Sequence, residues 1–174
     1  MRRTWRTASA VLSLVAVVAL TIGLAAPAGA VPSAATAASD AQYVFRLINR
    51  ERAVAALPAL RWNSRLASAA HTHNLAMARY DTLSHQLSGE LSFGARITAA
   101  GYAWSAAGEN IGRTPDWSLA GIMGLHRVMY REVAPNDPHR RNILSRTFRA
   151  VGVDVVMDGK HHTAWLTEVY AAPA

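Results

Sequence analysis

The chain has 174 residues, no cysteine, and 18 Lys and Arg against 11 Asp and Glu. The missing thiols exclude disulfides, cysteine-dependent catalysis and Cys-based zinc sites. The positive charge does not indicate nucleic-acid binding, because three arginines lie in the first 30 residues and the others are scattered instead of forming a basic stripe. The rest of the chain, with fifteen basic and eleven acidic residues, is mildly basic, which suits an anionic cell wall or lipid surface.

The N-terminus has the pattern of an export signal. Three arginines precede an apolar run over residues 8–26, and Ala28-Gly29-Ala30 offers the small residues that signal peptidase recognises. We therefore predict a signal peptide over residues 1–30 and a secreted, extracellular or cell-wall-associated protein with no transmembrane segment after cleavage. An uncleaved membrane anchor is the alternative, and the paired arginines at positions 2 and 3 leave twin-arginine export open.

The folded part is predicted to follow a short linker. Residues 31–39 are almost entirely Ala, Ser, Thr and Pro, and a segment without large apolar groups is predicted to be disordered. One domain is predicted over residues 40–172, since neither a repeat nor a second composition shift interrupts it. Its first helix is predicted over residues 40–56 from the spacing of its apolar residues.

Three further helices are predicted from apolar residues at helical spacing: residues 64–80, 92–100 and 118–131. The apolar stripe of the first of these includes His73, which is therefore predicted to be a buried, structural histidine. His71 lies two positions away on another face of the helix and is predicted to be exposed. The two histidines cannot share one ion, because residues i and i+2 point apart.

The C-terminal part changes to the pattern of strands. Residues 150–157 and 162–170 are β-rich runs on either side of Asp158-Gly159, a dipeptide that is a strong hairpin signal. Trp62 is predicted to lie in a short extended segment between the first two helices. Helices first and a hairpin last predict an α+β fold in which helices pack over a small antiparallel sheet.

Several short elements occur in order between residues 42 and 170. The most distinctive are Gly108-Glu109-Asn110-Ile111 and His139-Arg140-Arg141-Asn142-Ile143-Leu144, with Ser84-His85 before them and Trp165-Leu166-Thr167-Glu168 after them. By their order and spacing the chain resembles the bacterial, cysteine-free branch of the CAP superfamily, which comprises cysteine-rich secretory, antigen 5 and pathogenesis-related proteins with an SCP-like domain. The resemblance implies a three-layer α-β-α sandwich with a C-terminal hairpin.

The resemblance also implies a central groove that holds a divalent metal in some members. It assigns this groove to His85, Glu109, Glu132 and His139, of which His85, Glu109 and His139 are the expected metal ligands. Imidazoles and a carboxylate suit zinc or another divalent cation of similar character. The alternative is that these groups only hydrogen-bond one another and hold loops in place.

No residue is assigned a catalytic role, because the chain lacks the His-Glu-x-x-His, Gly-x-Ser-x-Gly and phosphate-loop motifs. We therefore predict a monomeric binding module that acts at the cell envelope on an unidentified lipid or protein and binds no nucleic acid. The alternatives are a metal-dependent hydrolase, for instance a protease, with Glu109 or Glu132 as base, and a lipid or sterol carrier. Asn110, Arg140 and Asn142 are expected to be structural.

Overall fold

A computed structural model describes residues 30–174, so the predicted signal peptide lies almost entirely outside the described residues. Within the described range, the chain is not seen to form any helix that is both long enough and apolar enough to cross a membrane. The elements in chain order are α1 (Ala34–Val54), β1 (Arg61–Trp62), α2 (Ser64–Tyr80), α3 (Phe93–Ala99), β2 (Trp104–Thr114), α4 (Leu119–Tyr130), α5 (Pro138–Ile143), β3 (Ala150–Asp158) and β4 (Thr163–Pro173).

Helix α1 begins in the segment that was predicted to be a disordered linker. Residues 34–39 form its first turns, and the hydroxyl of Ser33 caps the helix by accepting a hydrogen bond from the backbone N–H of Thr36. Alanine has the highest helix propensity, and Ala37 and Ala41 are buried in the core. The disordered-linker prediction therefore differs from the structure because alanine-rich composition was interpreted as a lack of anchoring groups.

The other predicted helices are confirmed to within one or two residues at their ends. Helix α2 is capped by Asn63, whose side-chain oxygen accepts hydrogen bonds from the backbone N–H groups of Arg65 and Leu66. Two elements were not predicted: strand β2 and the short helix α5. Pro138 opens α5, where its missing N–H costs no helical hydrogen bond.

The sheet has the strand order β1-β3-β4-β2. The predicted hairpin is confirmed: β3 and β4 are antiparallel neighbours, and β4 also pairs with β2 in antiparallel orientation. The sheet is mixed, in contrast to the antiparallel sheet predicted, because β1 pairs with the first two residues of β3 in parallel orientation. Strand β4, the last in sequence, therefore occupies the centre of the sheet.

Helices cover both faces of the sheet. Val151, Val153 and Val155 of β3 pack in the core cluster that contains the buried faces of α1 and α4. The alternate residues of β3 face α2, where the side-chain amide of Asn74 bonds Asp154. The predicted three-layer α-β-α arrangement of an α+β fold is therefore confirmed.

Candidate functional site

Strand β2 lies at one edge of the sheet and carries Glu109 and Asn110 in its interior. Successive side chains of a strand point to opposite faces. Glu109 accordingly reaches side chains next to α2 and α3, whereas Asn110 contacts residues of α5 and β4. One dipeptide thus connects polar groups on both sides of the sheet.

His85 and Glu109 form the first pair of the predicted groove. His85 lies in the loop between α2 and α3, and its Nδ1 is 2.9 Å from Oε1 of Glu109. The side chain of His85 is 57% exposed, whereas that of Glu109 is 3% exposed. The other carboxylate oxygen of Glu109 accepts a hydrogen bond of 2.7 Å from the guanidinium of Arg96. Both oxygens of Glu109 are therefore engaged by the protein itself.

A buried ionic cluster contacts the Glu109 carboxylate of this pair. Arg96 also lies 3.3 Å from the carboxylate of Glu90, and Nδ1 of His73 is 2.7 Å from the other oxygen of Glu90. His73 is completely buried, as predicted, and its Nε2 points to Glu109 at 3.8 Å without a hydrogen-bond partner among the described residues. The sequence interpretation missed Glu90 and Arg96, whose adjacency depends on the fold of the 81–92 loop.

His139 and Glu132 form the second pair. Glu132 lies just after α4, and its carboxylate accepts hydrogen bonds from the Nδ1 of His139 and from the backbone N–H groups of His139 and Arg140. The guanidinium of Arg140 does not join this carboxylate. It donates to the backbone carbonyl of Tyr130 at 2.7 Å and lies over the Tyr130 ring. The Arg140 side chain is therefore held against the end of α4.

Two asparagines connect the pairs. The side-chain amide of Asn142 donates to the backbone carbonyl of Glu109 at 3.2 Å and to the side-chain oxygen of Asn110 at 2.8 Å. The amide of Asn110 in turn donates to the backbone carbonyl of His139 at 3.2 Å. A Cβ at Gly108 would lie 2.5 Å from the Asn142 side chain, so this close approach requires glycine. The positions of the two pairs are therefore fixed relative to each other.

The hydrogen bonds define which imidazole nitrogens are available. A carboxylate oxygen only accepts, so Nδ1 of His85 and Nδ1 of His139 carry the hydrogens, and in the neutral ring each Nε2 keeps its lone pair. A carboxylate behind the imidazole is the usual support of a metal-binding histidine. Among residues 30–174, however, no three His, Asp or Glu side chains form a group that could hold a metal ion. The structure places the four predicted residues in two His–carboxylate pairs.

A second histidine network lies on the α4 side of the sheet. His126 is completely buried between two carboxylates: its Nδ1 is 2.5 Å from Glu168 and its Nε2 is 2.8 Å from Glu51. Glu168 also accepts hydrogen bonds from the Tyr170 hydroxyl at 2.6 Å and from the Asn110 amide at 3.0 Å. The network therefore reaches the groove through Asn110.

The charges of this core network stabilise one another. Burial by itself lowers the pKa of His126, but the charges of Glu168 and Glu51 and their hydrogen bonds outweigh burial and raise the pKa to about 10. Burial raises the pKa of Glu168, yet the His126 charge and the hydrogen bonds it accepts hold that pKa below its ordinary value. The pKa of Tyr170 is raised by burial and by the neighbouring Glu168 charge. A histidinium between carboxylates is the resulting state.

Comparison with known proteins gives one family. The model of the cysteine-rich secretory protein family, CAP, matches residues 45–170. No curated protein is significantly similar in sequence to this chain.

The fold is similar to several solved structures. One is an extracellular protein containing an SCP domain from Bacillus anthracis, with a TM-score of 0.66 and 23% identity over 77% of this chain and 40% of that protein. An outer surface protein from Borrelia burgdorferi has a TM-score of 0.65 and 12% identity over 78% of this chain and 94% of that one. A cysteine-rich secretory protein from Staphylococcus aureus has a TM-score of 0.59 and 16% identity over 80% and 40%. The chain spans about 40% of the length of the first and third proteins. At these low identities the structural similarity shows a shared fold.

Proposed function

This chain belongs to the cysteine-rich secretory protein (CAP) family, and on that premise we propose that it is an exported binding module of the cell envelope. Its ligand site is the groove made by the His85–Glu109 and His139–Glu132 pairs. The two bacterial proteins of similar fold that are described as extracellular or outer surface proteins support the exported location. The predicted signal peptide supports it independently.

One observation carries the assignment of the site. Each groove histidine has its Nδ1 held by a carboxylate while its Nε2 makes no hydrogen bond to any described residue. Both side chains are also partly exposed, His85 to 57% and His139 to 29%. A pair of oriented, partly exposed imidazoles is suited to bind a ligand from solution.

A divalent cation is the first ligand we propose for this groove. The Nε2 atoms of His85 and His139 would be its protein donors, and zinc is the cation that neutral imidazole suits best. Glu109 and Glu132 would orient the imidazoles and increase their basicity. The earlier expectation that Glu109 is itself a ligand stays a prediction, and its bonds to Arg96 and His85 favour the supporting role.

Zinc titration of the purified protein by calorimetry tests this site. We expect saturable binding that weakens at least tenfold in His85→Ala and in His139→Ala, the lower end of the loss expected when metal-site groups are removed. His71→Ala is the matched control, since His71 is also about half exposed and bonds a carboxylate, Asp154, through Nδ1. Binding that is absent from the parent, or that falls equally in the control, would remove the metal from the proposal. Zinc-dependent turnover that disappears in His85→Ala would instead support the alternative function of a metal-dependent hydrolase.

The exported location has its own test. N-terminal sequencing of the protein produced by its host should give a chain that begins at Val31 and is recovered from the medium or the cell wall. A chain that retains residues 1–30 in the membrane fraction would support the uncleaved anchor.

Lipid carriage is a second candidate, favoured by a cavity of about 580 Å³ between α2, α3 and the loop before α3. Exposed apolar side chains at its mouth include Leu75, Tyr80 and Leu91. Organic extraction of the purified protein followed by mass spectrometry should detect a bound lipid in the parent and less of it in Leu91→Glu. A protein that yields no lipid, and that takes up none from vesicles, would exclude this candidate.

A further inference from the structure

Helices α1 and α4 lie side by side on the same face of the sheet. Their apolar residues share one core cluster, and the carboxylate of Glu51 lies 2.8 Å from Nε2 of His126 between them. Each helix therefore has an inner side that packs on the core and an outer side that faces solvent. The two outer sides adjoin and form what we call the α1–α4 face, whose exposed residues are Tyr43, Arg46, Arg50, Val54, Arg127, Val128 and Arg131.

Four arginines project from the α1–α4 face. Arg46 and Arg50 are one turn apart on α1, and Arg127 and Arg131 are one turn apart at the end of α4. Residues four positions apart lie on the same side of a helix, so each pair projects in one direction. The contact between Glu51 and its partner on α4 brings Arg50 and Arg127 to the same level. The fold thus gathers arginines that are scattered in the sequence.

These four charges have no acidic partner within the described part of the chain. The salt bridges that arginines form among residues 30–174 involve Arg96, Arg113 and Arg141 instead. The acidic residues of α1 are Asp40 and Glu51, which are 3% and 8% exposed, and α4 has none. The α1–α4 face is therefore positively charged and suited to an anion from outside the domain.

The acidic residues nearest to the ends of α4 are bonded elsewhere. Asp116, before the helix, accepts a hydrogen bond from the backbone N–H of Ser118 at 3.0 Å. Glu132, after the helix, bonds the Nδ1 and backbone N–H of His139. Neither carboxylate forms a salt bridge with an arginine of the α1–α4 face among the described residues.

Exposed apolar side chains lie among the arginines. Val54 is 80% exposed, Val128 is 68% exposed and Tyr43 is 45% exposed. The guanidinium of Arg46 lies over the Tyr43 ring, 4.2 Å from its centre. A purely ionic surface gains nothing from exposed valines, whereas a surface that enters the headgroup region of a bilayer gains by removing them from water. The mixture of cations and apolar groups therefore favours a lipid surface over a soluble polyanion.

We propose that the α1–α4 face docks the domain on a membrane surface that contains anionic lipids. The four guanidinium groups bind lipid phosphates, with which arginine forms paired hydrogen bonds. Val54, Val128 and the Tyr43 ring lie at the level of the headgroups. The contact uses none of the four groove residues, so it is independent of the metal proposal. Its cellular role rests on the proposed export, but the contact itself is measured with purified protein.

Cosedimentation with vesicles tests the proposal. The chain should begin at Val31, so that the apolar run over residues 8–26 cannot insert into the bilayer; residues 31–174 form a compact unit of their own. We expect binding to vesicles of phosphatidylglycerol and phosphatidylcholine in equal parts, and none to phosphatidylcholine alone. Binding should weaken as salt is added, because the Debye length falls from about 10 Å at 0.1 M to about 3 Å at 1 M.

Two matched double variants test the position of the charges. Arg50→Gln with Arg127→Gln should weaken binding to the anionic vesicles at least tenfold, since one basic residue near such a surface contributes roughly fivefold. Arg65→Gln with Arg79→Gln removes the same charge from exposed positions on α2, across the sheet. This control should stay within about twofold of the parent, because its charges lie beyond a Debye length from the bilayer.

The apolar contribution is tested separately. Val54→Gln with Val128→Gln should weaken binding to the anionic vesicles about fivefold or more, because burial of these side chains supports the contact. Leu83→Gln is the control, since Leu83 is 46% exposed and lies in the loop after α2, and it should bind like the parent. Exposed positions of this kind tolerate substitution, so the variants should fold.

Three results would overturn the proposal. One is a parent that binds neutral and anionic vesicles equally, or neither. Another is an equal loss of binding in the two arginine variants, which would show that only the total charge matters. The third is unchanged binding in the valine variant, because it would identify a soluble anionic polymer as the better partner.

Discussion

Two of the regions in which histidine and carboxylate side chains meet differ in how the histidine is held. In the core network, formed by Glu51, His126 and Glu168, both ring nitrogens of the histidine bond carboxylates and every member is buried. In the two pairs assigned to the proposed groove, His85 and His139 each bond a carboxylate through Nδ1 alone and remain partly exposed. His126, buried with both ring nitrogens bonded, is thus held entirely by the fold, whereas His85 and His139 each present a partly exposed ring to solvent.

The core network should show the largest effect on stability. Replacing His126 with leucine removes the only cation between two buried carboxylates, and breaking a buried ion pair in this way costs about 3–5 kcal/mol of unfolding free energy. Urea denaturation of the variant and the parent measures the difference. His71→Leu is the control and should change stability by less than about 1 kcal/mol. A variant as stable as its parent would mean that the network contributes no stability and would break the comparison.

The same network predicts how stability depends on pH. The pKa of His126 is about 10 in the folded protein, above its ordinary value near 6.5. Because the folded state holds a proton that the unfolded state releases, this group stabilises the fold fully below pH 6.5, and the stabilisation is lost as pH rises to 10. Unfolding near pH 8 should release about one proton per molecule, a release that His126→Gln should lack. Equal pH slopes for parent and variant would contradict this.

Glu109 should show an intermediate effect, because it supports a groove histidine but is itself buried. In Glu109→Ala the guanidinium of Arg96 loses its shorter carboxylate contact and keeps Glu90 and the long bonds to the backbone carbonyls of His85 and Leu91. Leaving such a buried donor unsatisfied costs about 1–3 kcal/mol. Thermal melts of Glu109→Ala and His71→Ala give the comparison. Equal melting temperatures would show that the buried side of the groove does not contribute to the fold.

His85 should show the smallest effect. Its side chain is 57% exposed and makes one hydrogen bond, so His85→Ala should change the unfolding free energy by about 1 kcal/mol or less. The same variant should lose zinc binding, which distinguishes a ligand residue from a structural one. A large loss of stability in His85→Ala would place this residue with His126 on the structural side.

The elements that sequence predicts well are those that local chemistry specifies. Asn63 marks the start of α2 because its side chain caps the helix. Asp158 marks the hairpin because its carboxylate accepts hydrogen bonds from the backbone N–H groups of Lys160 and His161 in the turn. Strand β2 escaped prediction because Gly108, Glu109 and Asn110 interrupt any apolar alternation. It is a strand because β4 pairs with it.

The candidate site likewise has parts that the sequence could predict and parts that it could not. The resemblance to the family places His85, Glu109, Glu132 and His139 in one groove, and no spacing in the chain would have done so. The burial of His126 was within reach of sequence reasoning, since it shares a helix face with Ile122 and Met129, the kind of stripe that identified His73. The partners of His126 could not be predicted, because Glu51 and Glu168 come from two distant elements, α1 and β4.

Strand order has a consequence for how the chain folds. The last strand in sequence is one of the two inner strands and the partner of β2. Strand β2 therefore stays unpaired until residues 163–173 are available, when Ile111 can pair with Thr167. Such contacts between distant parts of a chain are slow to form. Until then the imidazole of His126 lacks Glu168, and the apolar faces of α1 and α2 have no complete sheet to cover. A chain cut before Thr163 should therefore not form a smaller domain; it should remain unfolded, because synthesis of the last strand completes both the sheet and its charged core.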